Sequence, residues 1–459
     1  MGNRQSYKIE CLHTLSTPES ERLKVTALNL FHPTASPLFQ NVGFFHIATQ
    51  PLRGEGEGVG KILERRIKKM LKRTFVFWML LGIGIFSTVS PVSAERGVTD
   101  TEILIGQWGP QTGPAAPWGA VARGTGLLCK IINEEGGIHG RKLKYFLRDD
   151  AYQPAKTKAI GKEFVEDIGV FAVVGGVGVG PGMTVRDYFM ENNVPWASPV
   201  TGVYNWIQPF QRYLFAIYPL YDDEAYNLTG YLHEKLGFKK LAMFYQNDDY
   251  GKQGLMGVER YLKDKKIDLV AKISAEMTDR DLSTHALKLK DSGAEAVVMW
   301  AMPTHAALIL GETAKIGFRP QWATSNTLSD SALMMQITKG LWAGMINSFF
   351  SELPDSNHPL MVKYREWHKK LEPQERWGVF YYAGIAFVEP FVEGLKRAGR
   401  NLTTESWIKA EESLKNWQGI GGPITYSATE RQGGKHVFYG KVRPDGSIER
   451  LTDWVRITK

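Results

Sequence analysis

Phe171-Ala172-Val173-Val174-Gly175-Gly176-Val177-Gly178-Val179-Gly180-Pro181-Gly182 is an uncharged apolar run opening into five glycines within eight residues, and a helical pattern follows over 183–192. A short apolar run closed by glycines reads as a strand buried on both faces, which is how strands of parallel sheets read. Outward from it the same alternation repeats. Upstream, strands at 103–108 and 143–148 alternate with helices at 118–135 and 155–167, and a strand at 196–198 follows the helix 183–192. Beyond Pro219 a second series begins, with helices at 224–236, 254–263, 282–290 and 305–316 and strands at 240–245, 269–273 and 296–300. Strands alternating with amphipathic helices mean parallel βαβ units. The chain therefore reads as α/β, with two doubly wound, Rossmann-like lobes. A strand-like 345–350, helices at 358–371, 379–398 and 405–416, and β-rich 435–442 and 448–457 complete it. No composition break separates the lobes, which predicts short hinge crossings rather than a flexible linker.

A strand, a glycine-rich turn and a helix aim free backbone N–H groups and the positive end of a helix dipole at an anion. Gly178, Val179 and Gly180 are the candidate donors. The dinucleotide spacing fails, since Gly178-x-Gly180-x-x would need glycine at Met183 and Gly176-x-Gly178-x-x needs it at Pro181. An anion-facing loop, a purely structural turn and a nucleotide site stay open at this point.

The formal charge is +8, but residues 1–94 carry 12 Lys and Arg against 6 Asp and Glu, which leaves only +2 on the remainder. Without a basic stripe, nucleic-acid binding loses its electrostatic support. Two cysteines, Cys11 and Cys129, cannot build a disulfide framework or a Cys-rich zinc site, and Cys129 reads as a buried small hydrophobe. Arg65, Arg66, Lys68, Lys69, Lys72 and Arg73 precede the apolar run 75–86, and Val92-Ser93-Ala94 supplies a small-x-small site. This order is that of a secretory signal peptide over 70–94, cleaved after Ala94 and delivering the chain to the periplasm; a membrane anchor over 74–92 is the alternative. Residues 1–69 precede the signal and read as translation from a wrongly assigned start, with Met70 as the true one.

The sequence lacks G-x-S-x-G, H-E-x-x-H, G-x-x-x-x-G-K-[ST] and Cys-x-x-Cys, and its ten histidines are scattered. No catalytic residue, metal site or cofactor is expected. Binding is better supported. Trp118 follows Thr112-Gly113-Pro114-Ala115-Ala116-Pro117 after the first strand, and Tyr250 follows Asn247-Asp248-Asp249 after a strand of the second lobe. Ligands of open α/β sheets sit outside the carboxyl ends of strands, so both rings are placed for a cleft; capped turns with exposed rings are the other reading.

An ordered series of motifs now carries a resemblance: Ile103-Leu104-Ile105-Gly106 leading to Thr112-Gly113-Pro114 and Gly119; Asn133-Glu134-Glu135-Gly136-Gly137-Ile138-His139-Gly140-Arg141; Asp149-Asp150 before Pro154; Asp248-Asp249-Tyr250-Gly251; and Gly422-Pro423-Ile424. Over residues 98–459 the chain resembles type I periplasmic solute-binding proteins of the leucine/isoleucine/valine family, which feed ABC importers. The resemblance implies two lobes joined by three crossings and closing on one small ligand, with lobe 1 as 95–218 plus 348–422 and lobe 2 as 219–347 plus 423–459. It places Trp118, Tyr250 and Tyr382 as cleft aromatics, and Thr201 beside Val200 as the holder of the ligand carboxylate. It also implies a membrane permease as partner, and a protein monomeric when soluble.

Two departures bear on the ligand. The family's serine-rich carboxylate loop is here Gly178-Val179-Gly180-Pro181-Gly182, which leaves main-chain donors and no hydroxyl. The family's carboxylate for a ligand ammonium falls on Asn326. Burying an ammonium without a counter-charge is costly, so the expected ligand is a small carboxylate-bearing solute, an amino acid, aromatic acid or amide, with aromatic or otherwise bulky carboxylates binding better than leucine, isoleucine or valine. A nicotinamide-dependent oxidoreductase or a soluble sensor for a membrane receptor are the alternatives.

Overall fold

Residues 65, 66, 68–70 and 95–457 are described by a computed structural model. The expectations for cleavage after Ala94, for the apolar run 74–92 and for residues 1–64 lie outside the described residues. Among those described, no helix is long and apolar enough to cross a membrane.

The first sheet has β1 (Glu102–Trp108), β2 (Lys142–Arg148), β3 (Ala172–Val174), β4 (Trp196–Ala197) and β5 (Leu214–Phe215) in the order β2-β1-β3-β4-β5, all parallel. Helices α1 (Ala120–Glu134), α2 (Pro154–Lys162) and α3 (Val179–Glu191) make the crossovers. β1 is flanked by β2 and β3, so the strand order reverses there, and the crevice of a doubly wound sheet opens at such a point. Trp118 follows β1 and the glycine stretch follows β3. Both therefore reach the crevice.

The second sheet places β6 (Leu241–Gln246), β7 (Ala271–Ala275), β8 (Ala296–Trp300), β9 (Gln321–Thr324) and β10 (Ile346–Phe349) in parallel, with α4 (Tyr221–Gly230), α5 (Asp249–Lys265), α6 (Ser283–Asp291), α7 (Pro303–Lys315) and α8 (Ser331–Ile337) around them. β11 (His436–Val442) and β12 (Ile448–Arg450) extend it antiparallel beyond β10, and β13 (Val455–Arg456) pairs with β11. Here the order reverses at β6, between β7 and β8, and Tyr250 follows β6.

Between β10 and β11 the chain returns to the first lobe as α9 (Pro359–Leu371), α10 (Val379–Ala398) and α11 (Thr404–Glu412). α10 crosses α1 at backbone contact. A Cβ on Gly124 would stand 1.7 Å from the Tyr381 carbonyl oxygen, and one on Gly384 would stand 1.9 Å from that of Val121. The three crossings run side by side and are bonded together: Ala216 N donates to Arg431 O (2.9 Å), Gly433 N to Ala216 O (2.7 Å) and Gly422 N to Phe350 O (2.9 Å). The division expected at residue 348 falls inside β10, which stays in the second sheet to Phe349.

Two helix starts differ from the pattern. α3 begins at Val179, four residues before the apolar periodicity, because Pro181 in its first turn lacks only an N–H that has no partner there anyway. α5 begins at Asp249, with Asp248 accepting the Gly251 N–H (3.0 Å) as its cap. Tyr250 thus belongs to a helix, not a loop. β5 and β9, of two and four residues, are too short to show a period.

Candidate functional site

The crevices of the two sheets face one cavity of about 530 Å³ between its walls, solvent at its mouth included. Eight of its lining side chains are aromatic: Trp118, Tyr152, Tyr218, Tyr221, Tyr250, Phe350, Phe380 and Phe387. Val121, Val177, Val179, Val200, Val379 and Ala383 fill between them, and Gly178, Asn326 and Thr327 complete the wall. No Lys, Arg, His, Asp or Glu lines it.

Trp118 sits in the short turn Ala116–Gly119 ahead of α1, pressed so close to the preceding loop that a Cβ on Gly119 would meet the Pro110 carbonyl oxygen at 2.2 Å. Asp149 holds that loop by accepting from Gln111 N (2.8 Å) and Thr112 Oγ1 (2.6 Å). The next residues turn through the left-handed region at Ala151 and Tyr152, φ 49° and 61°, and so carry the Tyr152 ring to within 5.9 Å of Trp118. On the opposite wall Tyr250 meets Trp118 edge-on at 5.9 Å and Tyr221 at 5.2 Å. Burial pushes the hydroxyls of Tyr152, Tyr218, Tyr221 and Tyr250 well above the usual tyrosine range, so they remain neutral hydrogen-bonding groups.

Two polar features stand out in this apolar space. Gly178, at φ 105°, caps α3, and the N–H groups of Val179 and Gly180 in its first turn have no carbonyl ahead of them in the helix. That end favours an anion. A nucleotide fits poorly here, because a Cβ on Gly176 would already meet the Trp108 ring at 2.4 Å and one on Gly178 the Tyr152 ring at 2.7 Å. These glycines admit protein rings, not a pyrophosphate. The second feature is Asn326, whose backbone N and Nδ2 both donate to Glu224 Oε1 at 2.8 Å.

The segment after β9 also joins the lobes. Trp118 Nε1 donates to Thr327 O (2.9 Å), and the Thr327 hydroxyl pairs with the Tyr250 hydroxyl (2.6 Å). Asp330 accepts from Leu333 N in its own helix (3.1 Å) and, through its other oxygen, from Phe380 N (3.1 Å) and Arg376 (2.8 Å) across the cleft. These contacts hold the cleft closed.

Of the residues singled out in the sequence, Trp118, Gly178, Val179, Val200, Tyr250 and Asn326 come together in the wall, and three do not. Gly180 lies one residue further into α3. Thr201 is buried next to the wall residue Val200, its hydroxyl without a bonded partner at hydrogen-bond geometry and beside Tyr221. Tyr382 turns away from the cavity: its hydroxyl donates to Glu352 O (2.6 Å) and its ring packs 5.4 Å from Trp377, because it follows Tyr381 on a helix whose cavity face is Val379, Phe380, Ala383 and Phe387. That face recurs at helical spacing and was legible. Tyr152, Tyr218 and Tyr221 had no such signal, being brought in by a left-handed turn and by a crossing. Cys129 is buried, and burial pushes its thiol up to about 12, so it is no nucleophile.

Two lobes closing on one aromatic cavity without an ionised side chain define a binder of small solutes. The chain belongs to the periplasmic binding protein family, whose sequence model matches residues 102–447. It is 26% identical over 360 residues to the Leu/Ile/Val-binding protein homolog 1 of Brucella abortus (strain 2308), covering 74% of this chain and 91% of that one. Among solved structures it is similar to a branched chain amino acid ABC transporter protein from Thermus thermophilus with bound valine (TM-score 0.72, 17% identity, 78% of this chain and 97% of that one). It is also similar to the fatty acid ABC transporter substrate-binding protein from Thermomonospora curvata (TM-score 0.70, 22% identity, 79% and 94%). The fold is the type I periplasmic binding protein fold, the family is periplasmic, and the chain is a solute-binding protein, not an enzyme.

Proposed function

We propose that this protein is the substrate-binding subunit of an ABC importer, exported with cleavage after Ala94, which captures a small carboxylate-bearing solute by hinge closure and hands it to a membrane permease. The observation that carries the reading is the cavity itself: eight aromatic rings around an uncharged space, with the start of α3 as its anion-favouring end. Aromatic walls bind a large apolar body, and the free first-turn N–H groups suit a carboxylate. Relatives named for leucine, isoleucine and valine binding support an amino acid, and the likeness to the fatty acid ABC transporter substrate-binding protein supports an apolar acid. The aromatic content of the cavity favours aromatic or otherwise bulky apolar carboxylates over leucine, isoleucine and valine. The lobes, 95–218 with 350–432 and 219–349 with 433–457, rotate about the three bonded crossings. The third crossing lies beyond the expected residue 422 because Tyr426 N donates to Leu414 O and Arg431 pairs with Glu412 in the first lobe.

A thermal-shift screen over amino acids, aromatic acids and their amides tests this. A true ligand at a hundred times its dissociation constant adds about 2.7 kcal/mol of stability. Stabilisation by no carboxylate at all would sink the proposal, and submicromolar leucine binding would sink the preference for bulkier ligands.

A further inference from the structure

Glu224 lies on α4, just after the first crossing, fully buried and outside the cavity wall. Its Oε1 accepts three hydrogen bonds, from Asn326 N, from Asn326 Nδ2 and from the Ser348 hydroxyl. Its Oε2 has no partner. An amide bound through its nitrogen has its oxygen on the other side of the same plane, and Asn326 Oδ1 is buried without a partner although Asn326 lines the cavity. Unpaired buried acceptors are rare and costly. This pair leaves two, both asking for a donor.

We propose that Glu224 is the positioning residue that turns Asn326 into an acceptor, so that the site selects ligands carrying an N–H donor beside an apolar body. This rests on the reading above. It also revises the expectation that Asn326 leaves a ligand ammonium without a counter-charge, because a carboxyl stands one hydrogen bond behind the amide. Asparagine alone is ambivalent, since its amide can present either end. Glu224 removes the ambivalence by occupying the NH₂ end. The titratable groups facing Glu224 are the neutral hydroxyls of Tyr218, Tyr221, Tyr250 and Tyr439, and its helix neighbours Asp222 and Asp223 are paired with Arg260. Burial raises the Glu224 carboxyl to about 7, so its charge changes within an accessible range.

The test uses matched probes that differ only by the ammonium: L-phenylalanine against 3-phenylpropanoate, and L-leucine against 4-methylpentanoate, measured by calorimetry. The unmodified protein should favour the ammonium-bearing member of each pair by about tenfold or more, the effect of one well-placed hydrogen bond. That preference should shrink as the pH falls from about 7.5 to about 5.5, where the carboxyl takes up its proton while the probes keep their charges. Glu224→Gln keeps an oxygen that accepts from Asn326, so it should lose the pH dependence while keeping the part of the preference that needs only an oriented amide. Glu224→Leu removes the acceptor and should lose most of the preference. Mere loss of packing would not divide the two variants in this way. Should Glu224→Leu fail to fold, the pH profile of the unmodified protein against that of Glu224→Gln decides. Equal binding within each pair, or a preference unmoved by both pH and Glu224→Leu, overturns the inference and leaves the carboxylate-binding reading standing. Binding of none of the four probes overturns both.

Discussion

The two walls of the cleft recognise by different means. The first-lobe wall is rings and branched aliphatics from the segments that follow β1, β2, β3 and β4 and from α1, α3 and α10, and its polar contribution is main-chain N–H at the start of α3. The second-lobe wall has fewer apolar groups and presents Asn326, held by Glu224, and Thr327, whose hydroxyl pairs with Tyr250 and whose carbonyl accepts from Trp118. A wall of shape and main chain tolerates any ligand body of fitting volume. The second-lobe wall presents oriented polar groups and, through Thr327 and Asp330, also bonds the opposite lobe, so on the proposed reading recognition and closure share one segment, residues 325–330.

The largest effect expected concerns how rigidly the first wall is built. Gly384→Leu would drive a side chain into the Val121 carbonyl at the α1–α10 crossing, where even a Cβ has no room. It should cost about 4 kcal/mol or more of stability, or abolish folding. Gly311→Ala in α7 of the second lobe meets open space and should stabilise by about 0.5–1 kcal/mol. Urea unfolding of both checks this, and equal tolerance would mean that the first wall is not held by that crossing.

Next in size is Trp118, which belongs to the first wall but bonds the second. Trp118→Ala removes ring and bond together and should weaken ligand binding by about 3 kcal/mol. Trp118→Phe keeps an aromatic face and loses only the Nε1–Thr327 bond, which should cost about 1 kcal/mol. Calorimetry separates the two, and scattering should show Trp118→Phe more open without ligand. Equal losses in the two variants would put the whole effect of Trp118 in the latch.

That division also explains what was legible. The βαβ alternation, the switch-point positions of Trp118 and Tyr250 and the glycine turn follow from local pattern, because strands, helices and the loops after strands leave periodic and compositional traces. Glu224 left none. The last of three consecutive acids at a helix start, Asp222-Asp223-Glu224, reads as surface, and only the fold brings it against Asn326, 102 residues on. Tyr382 failed for the opposite reason. The position at the head of a long helix was right, but a helical face admits Phe380 and Ala383 and rotates Tyr382 away.

Each lobe buries a carboxyl raised to about 7 by desolvation, and the pair differs in how it is satisfied. Glu389 in the first lobe accepts from Tyr364 (2.7 Å) and Ile420 N (2.7 Å), whereas Glu224 leaves an oxygen unpartnered. A carboxyl whose folded pKa lies above the usual 4.5 holds its proton better in the folded state, so its contribution is full below about 4.5 and is lost as the pH rises to about 7. Glu389→Gln keeps the acceptor and removes the titration. Relative to this variant, the unmodified protein should lose about 1–3 kcal/mol between those limits. Parallel pH profiles of the two in thermal unfolding would contradict the assignment.

The smallest effect separates main chain from side chain within the first wall. Thr201 is the residue that the family pattern offers for the ligand carboxylate, yet only its neighbour Val200 lines the cavity, and the Thr201 hydroxyl is buried beside Tyr221. If the first-turn N–H groups of α3 hold the anion, Thr201→Ala acts only through the setting of Tyr221 and should weaken binding by no more than about 1 kcal/mol. If the hydroxyl reaches the carboxylate directly, a charge-assisted bond is lost and the cost rises to about 2 or 3 kcal/mol. Thr201→Ser, which keeps the hydroxyl, should be close to neutral in either case, while Thr201→Val preserves shape and removes only the donor. A Thr201→Val loss as large as that of Trp118→Ala would show that the first wall, too, reads its ligand by a side chain, and the contrast between the walls would fall.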